Sequence, residues 1–294
     1  MTAAASLRID VGDGIALHVR TWGARPPTLL LVHGFSHGGF VWRALAESLV
    51  EAMPGCGVAA IDLRGHGDSD RDRRRRYDIE THVADVIAVA RALDLDEYVL
   101  VGHSLGASVA ILAAERLPRR PQAVILADGG PGLSAAASAH IREEFLQLKF
   151  RYHSVEEYRD QLLASMPMAA TPVLQALAAD ALERLGPGEF RLKADRALGY
   201  QVHDPAIDGA LWQALQSMRV PLLLVRGSAS ALCTKAWCDA FAARVPQAAM
   251  ETVERAGHAL MLDNPARFNA LVHRYVSHWQ GMQGGSAQRT GSAG

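Results

Sequence analysis

The chain has 294 residues, 49% of them hydrophobic and 6% aromatic, with a formal net charge of −1. That length suits one large α/β domain with room for an insertion and a sizeable core. The balanced charge sets up no overall field toward nucleic acid or an anionic membrane surface, and no apolar run reaches the roughly 18 residues of a membrane span.

No basic-then-apolar leader opens the chain, so no signal peptide is expected. Cys56, Cys233 and Cys238 are odd in number and lack zinc spacing. They read as reduced structural thiols, and a cytoplasmic location is expected.

In chain order, residues 15–20 alternate apolar and polar side chains, as in an edge hairpin. Residues 28–32, 58–61, 98–101, 123–127 and 220–225 are nearly continuous apolar runs. Strands covered on both faces have this composition, which predicts a parallel sheet between layers of helices. A last short strand is expected at 249–253. Helical periodicity marks 41–52, 79–93, 108–116, 234–244 and 265–279. The segment 133–216 interrupts this rhythm with mixed charged and apolar helical composition, and reads as an inserted helical cap. The reading is therefore a core of 1–132 and 217–280, a cap of 133–216, and a tail of 281–294 too poor in apolar residues to order itself. The basic cluster from Arg71 to Arg76, broken by Asp72, reads as a solvated loop face, with an acidic substrate or partner as the other option.

Gly102-His103-Ser104-Leu105-Gly106 follows the 98–101 run and precedes a small-residue helical stretch. A G-x-S-x-G sequence between strand and helix raises its serine on a sharp turn, where a base can take its proton and backbone amides can face a developing oxyanion. Leu31-Val32-His33-Gly34-Phe35 runs a strand into a His-Gly-aromatic turn, which can bring the Phe35 amide beside that of Leu105. Asp62-Leu63-Arg64-Gly65-His66-Gly67-Asp68-Ser69 suits a tight structural connection. Ala256-Gly257-His258 stands on a loop late in the chain, and of the twelve histidines His258 is the candidate general base. Asp128, in Asp128-Gly129-Gly130-Pro131, closes the 123–127 strand.

Together these motifs resemble the α/β-hydrolase superfamily, in its cap-bearing esterase, peroxidase and carbon–carbon hydrolase branch, over about residues 7–280. The resemblance implies a mostly parallel eight-stranded sheet flanked by helices, with the cap over its carboxyl edge. It also implies Ser104 as nucleophile, His258 as base, Phe35 and Leu105 amides as oxyanion hole, a small-molecule substrate, and no metal or organic cofactor.

One position departs from the family. The acid usually follows the strand matching 220–225, in an Arg-Gly-x-x-Ser-Asp run, whereas this chain reads Arg226-Gly227-Ser228-Ala229-Ser230-Ala231. Ala231 falls at the carboxylate position. Three accounts fit: relocation of the acid to Asp128, one strand away; a deliberate Asp-to-Ala replacement at 231; or loss of strong triad chemistry. Glu254 and Asp263 lie near His258 in sequence without being placed behind its Nδ1. The expected function is hydrolysis of small carboxylic esters or related acyl compounds. The alternatives are proton abstraction by His258 and Asp128 in a cofactor-free dioxygenase or carbon–carbon hydrolase, or a weakly active ligand-binding relative. Phe145, Phe150, Tyr152, His153, Tyr158, Met166 and Met168 of the cap are candidates for core or substrate wall. His203-Asp204-Pro205 reads as a structural junction.

Overall fold

The computed structural model describes residues 4–132, 135–200 and 205–287. Its main sheet contains β1 (Ala5–Asp10), β2 (Ala16–Gly23), β3 (Leu29–Val32), β4 (Gly57–Ile61), β5 (Val99–His103) and β6 (Ala123–Ala127). The cap contributes β7 (Arg151–Tyr152), β8 (Leu182–Gly186) and β9 (Glu189–Leu192), after which β10 (Leu222–Gly227) and β11 (Ala249–Val253) return to the main sheet. The eight strands run in the order β1-β2-β4-β3-β5-β6-β10-β11. Only β1–β2 and β2–β4 pair antiparallel; the remaining pairs are parallel.

The apolar runs work by alternation within an apolar strand, since successive side chains point to opposite faces. Leu29 and Leu31 enter one core cluster with Trp42 and Leu49, while Leu30 and Val32 enter the other with Val86 and Val109. The first layer holds α1 (Arg43–Ala52), the second α2 (Ile79–Ala92) and α3 (Leu105–Ala114). The cap holds α4 (Ala135–Leu146), α5 (Val155–Ser165) and α6 (Thr171–Ala181); α7 (Asp208–Ser217), α8 (Lys235–Arg244), α9 (Leu260–Asp263) and α10 (Pro265–Ala287) follow. Asp78 caps α2 through Thr81 N and Thr234 caps α8 through Trp237 N, each satisfying a first-turn amide.

The structure bears out one local expectation and corrects the sequence reading in three places. The expected edge hairpin is present: residues 16–20 lie in β2, which pairs antiparallel with the edge strand β1. The cap is not purely helical: β7, β9 and β8 form a three-stranded antiparallel sheet. Gly186-Pro187-Gly188 turns its hairpin, with Gly188 at φ +68°, where glycine avoids the Cβ penalty. Helix α7, inside the predicted cap range, instead buries Leu211 and Leu215 with α3 residues. Finally, the last helix continues to Ala287 rather than giving way to disorder at 281, since extending a formed helix adds one bond per residue fixed. Residues 288–294, and His203 and Asp204 of the predicted junction, lie outside the described residues.

The cap is tied to the core through the loop after β4. Arg20 pairs with Asp180 at 2.8 Å and Lys193 with Asp68 at 2.8 Å. Tyr77 Oη donates to Asp195 Oδ2 at 2.6 Å, and Asp195 N donates to Gly65 O at 2.7 Å. Arg71 of the basic cluster donates to the carbonyls of Leu192 and Lys193. Buried Asp72 gathers Arg64 and Arg76. That cluster is thus partly spent on internal pairing. The described helices include none long and apolar enough to cross a membrane.

Candidate active site

The carboxyl ends of parallel strands are where open α/β sheets place their sites, and here the ends of β3, β5, β6, β10 and β11 converge. Ser104 sits between β5 and α3 at φ 52° and ψ −116°, a backbone region costing about 1–3 kcal/mol for a non-glycine residue. The turn closes this tightly only because its neighbours lack side chains. A Cβ on Gly102 would meet Gly106 O at 2.2 Å, and one on Gly106 would meet Val32 O at 2.3 Å.

His258, on the loop between β11 and α9, directs Nε2 to Ser104 Oγ at 3.0 Å and Nδ1 to Asp128 Oδ2 at 2.7 Å. Both separations are those of hydrogen bonds. Asp128 is fully buried at the end of β6. Its Oδ1 accepts from Gly227 N at 3.0 Å and its Oδ2 also accepts from Ser230 Oγ at 2.6 Å. The buried carboxylate is therefore bonded on both oxygens, the condition for keeping a charge out of water. Ala231 lies on the cavity wall nearby. Asp263 instead accepts from Gly257 N at 2.8 Å, and burial pushes its carboxyl pKa up. The carbonyl of Glu254 accepts from Asn264. Neither acid stands behind His258 Nδ1.

Phe35 and Leu105 both line the cavity with Ser104. A Cβ on Gly34 would come 3.0 Å from Ser104 Cβ, so the Gly34–Phe35 backbone presses against the serine. Leu105 opens α3, where helix geometry leaves an amide without an intrahelical acceptor.

Two residues escaped the sequence reading. Ser230 was visible in the run after β10 but carries no charge to mark it. His103 is buried beside the serine, bonds His258 O through Nε2 at 2.9 Å, and lies 4.7 Å from the His258 ring. Its imidazole is held well below the usual histidine range by burial and by the neighbouring His258. His37, stacked on His103, is pushed down to about 4, chiefly by burial. Both rings are therefore neutral spacers that shape the floor of the site.

Asp62 plays the expected connecting role: it accepts from His18 Nδ1, Gly39 N and Asp68 N. Burial alone would raise its pKa, but the His18 bond and the Arg20 charge outweigh that and hold it well below the carboxylate range. Its oxygens are committed to the loop. Cys56, Cys233 and Cys238 are buried free thiols.

A cavity of about 1000 Å³ rises from Ser104 to the cap. Of the cap candidates, Phe145, Tyr158, Met166 and Met168 line it. Phe150 and Tyr152 pack elsewhere in the cap, and His153 is held by its amide to Glu157.

Ser104, His258 and buried Asp128 thus stand in one hydrogen-bonded line under the cap. The family model for the alpha/beta hydrolase family matches residues 29–271, and the chain belongs to that family. It is 26% identical over 290 residues to a putative 2-succinyl-6-hydroxy-2,4-cyclohexadiene-1-carboxylate synthase of Bacillus subtilis, covering 92% of this chain and 98% of the relative. It is 26% identical over 231 residues to the 2-(acetamidomethylene)succinate hydrolase of Mesorhizobium japonicum, covering 79% and 80%. The solved structure of E-2-(acetamidomethylene)succinate hydrolase superposes with a TM-score of 0.83 at 24% identity, over 94% of this chain and 100% of that one.

Proposed function

We propose that the chain is a serine hydrolase of carboxylic esters or related acyl compounds. One observation carries this: the unbroken Ser104–His258–Asp128 hydrogen-bond line at 3.0 and 2.7 Å. Ser104 Oγ attacks the substrate carbonyl carbon while its proton passes to His258 Nε2. The Phe35 and Leu105 amides hold the oxyanion; each well-aimed donor of this kind lowers the barrier by about 2.7–4 kcal/mol. The carbon–oxygen bond to the leaving group breaks, and His258 returns the proton to the departing alcohol. Water then attacks the acyl-serine, its proton again passing to Nε2, and the acid leaves as Oγ is reprotonated. Asp128 fixes the tautomer of His258 and stabilises its cation without taking the proton.

The relatives' own names carry a succinate and a cyclohexadiene carboxylate, and neither reaction is assigned to this chain. The test is labelling by an uncharged alkyl fluorophosphonate together with ester turnover. Covalent labelling that vanishes in Ser104→Ala along with turnover supports acyl transfer. Retained turnover in Ser104→Ala would instead mark a mechanism run by His258 as base.

A further inference from the structure

The charges around the cavity are unusual for a site fed with acids. Among the described residues of its wall, Lys193 is the one Lys or Arg, and its Nζ is 2.8 Å from Asp68 Oδ1. The carboxylates are more numerous: Asp128, Glu144, Asp180 and Asp263 all line the same space. Asp180 uses Arg20, which does not face the cavity.

Much of the wall under the cap is apolar, although Gln147, Gln161 and Ser165 also line it. Phe145, Leu148, Leu162, Met166, Leu177 and Leu198 line it, and Phe145 and Leu198 are nearly fully buried. A substrate carboxylate entering there would leave water for hydrocarbon and acidic neighbours, and among the described wall residues no Lys or Arg is unpaired to meet it. Burying an unpaired charge is strongly unfavourable, and like charges in one cavity repel.

Resting on the serine-hydrolase reading, we propose that this cavity selects substrates whose acyl group is uncharged and apolar, and rejects acyl groups bearing a free carboxylate. The acyl chain lies along the Leu162–Met166 wall while the carbonyl meets Ser104. The size of the space admits a branched aliphatic or aryl acyl group as readily as a short linear one, so charge, rather than length, is what the wall discriminates.

The comparison that isolates charge uses two near-isosteric esters, 4-nitrophenyl 6-methylheptanoate and 4-nitrophenyl hydrogen adipate, at pH 7.5, where the second is an anion. The uncharged ester is expected to have a kcat/KM about a hundredfold higher, as one unpaired buried charge implies. Turnover of the anion within about threefold of the neutral ester would overturn the proposal. Met166→Arg gives an independent check, because it adds a cation to the wall while leaving Ser104, His258 and Asp128 untouched. It should narrow the gap at least about tenfold, and an unchanged gap in a folded, fluorophosphonate-labelled variant counts against the proposal. Labelling of Ser104 separates the two failures: a labelled enzyme that prefers the anion sinks only the charge selection, whereas an unlabelled enzyme inert to both esters sinks it together with the serine-hydrolase reading.

Discussion

Ser230 Oγ donates to Asp128 Oδ2 at 2.6 Å, and the same oxygen lies 2.7 Å from His258 Nδ1. Ser230 Oγ itself accepts from Cys233 N and Leu232 N. Strands β6 and β10 are hydrogen-bonded neighbours, so the end of one and the loop of the other approach His258 from adjacent positions. A carboxylate can stand on either strand and address the same ring nitrogen. In the proposed mechanism the acid stands just after β6, and a hydroxyl in the loop after β10 supports it.

Ser230 is accordingly a positioning residue. Ser230→Ala should lower kcat by about tenfold with little change in KM, the loss expected of one hydrogen bond to a charged group. Ser230→Thr, which keeps the hydroxyl, should recover most of it. The stronger measurement is a swap. Asp128→Asn alone should drop kcat by about four orders of magnitude, as when a triad acid is neutralised. Adding Ser230→Asp should restore at least about tenfold of that loss by offering a carboxylate from the neighbouring strand. A double variant no better than Asp128→Asn would show that position 230 cannot reach the imidazole.

Much of this geometry was legible in the sequence, for identifiable reasons. The buried strands announce themselves because both faces are apolar, and Gly102 and Gly106 mark the turn because a Cβ on either would collide with backbone. His258 was distinguishable by its place after the last strand. β1 was missed since its burial pattern is mostly exposed, leaving no apolar run to read. The cap hairpin was missed because Gly186-Pro187-Gly188 sits within a helix-like composition. The partnership of Ser230 with Asp128 spans 102 positions and depends on strand order, which a single sequence does not display.

The turn that raises Ser104 should tolerate no methyl group at its base. In Gly106→Ala the new Cβ would meet the carbonyls of Val32 and His33 at 2.3 and 2.6 Å, backbone atoms that cannot swing aside. We expect a stability loss at the high end of point substitutions, about 3 kcal/mol or more, with fluorophosphonate labelling lost even in the fraction that stays folded. Urea unfolding and labelling measured on the same preparation check both halves. Full labelling of a protein of unchanged stability would contradict the close packing of β3 against the turn.

Tyr77 clasps the cap to the core, accepting from Asp72 N at 3.0 Å while donating to Asp195. Tyr77→Phe keeps the ring but strands a buried amide and loosens a carboxylate, a cost of about 1–3 kcal/mol. The expected signature is local: faster protease cleavage in the cap, at residues 193–200, with a smaller change in the core. Cleavage kinetics identical to the parent would place the restraint elsewhere, on the Arg20–Asp180 and Lys193–Asp68 pairs.

Acid should unfold this protein through its buried imidazoles, and His82 offers the cleanest case. It is fully buried, and burial, with the His66 and Arg64 charges, pushes its pKa down to about 3 from 6.5. A histidine whose folded value is depressed binds its proton more readily when unfolded. Its contribution is fully present above about pH 6.5 and is lost as pH falls toward the folded value of about 3. At pH 5 that amounts to about 2 kcal/mol for this one residue. His33 and His66, pushed to about 4 and about 3 by burial, add to the same slope. In His82→Leu the difference in unfolding free energy between pH 7 and pH 5 should shrink by about 2 kcal/mol. Denaturant titrations at the two pH values decide it, and parallel losses in parent and variant would mean that His82 is already solvated in the native protein.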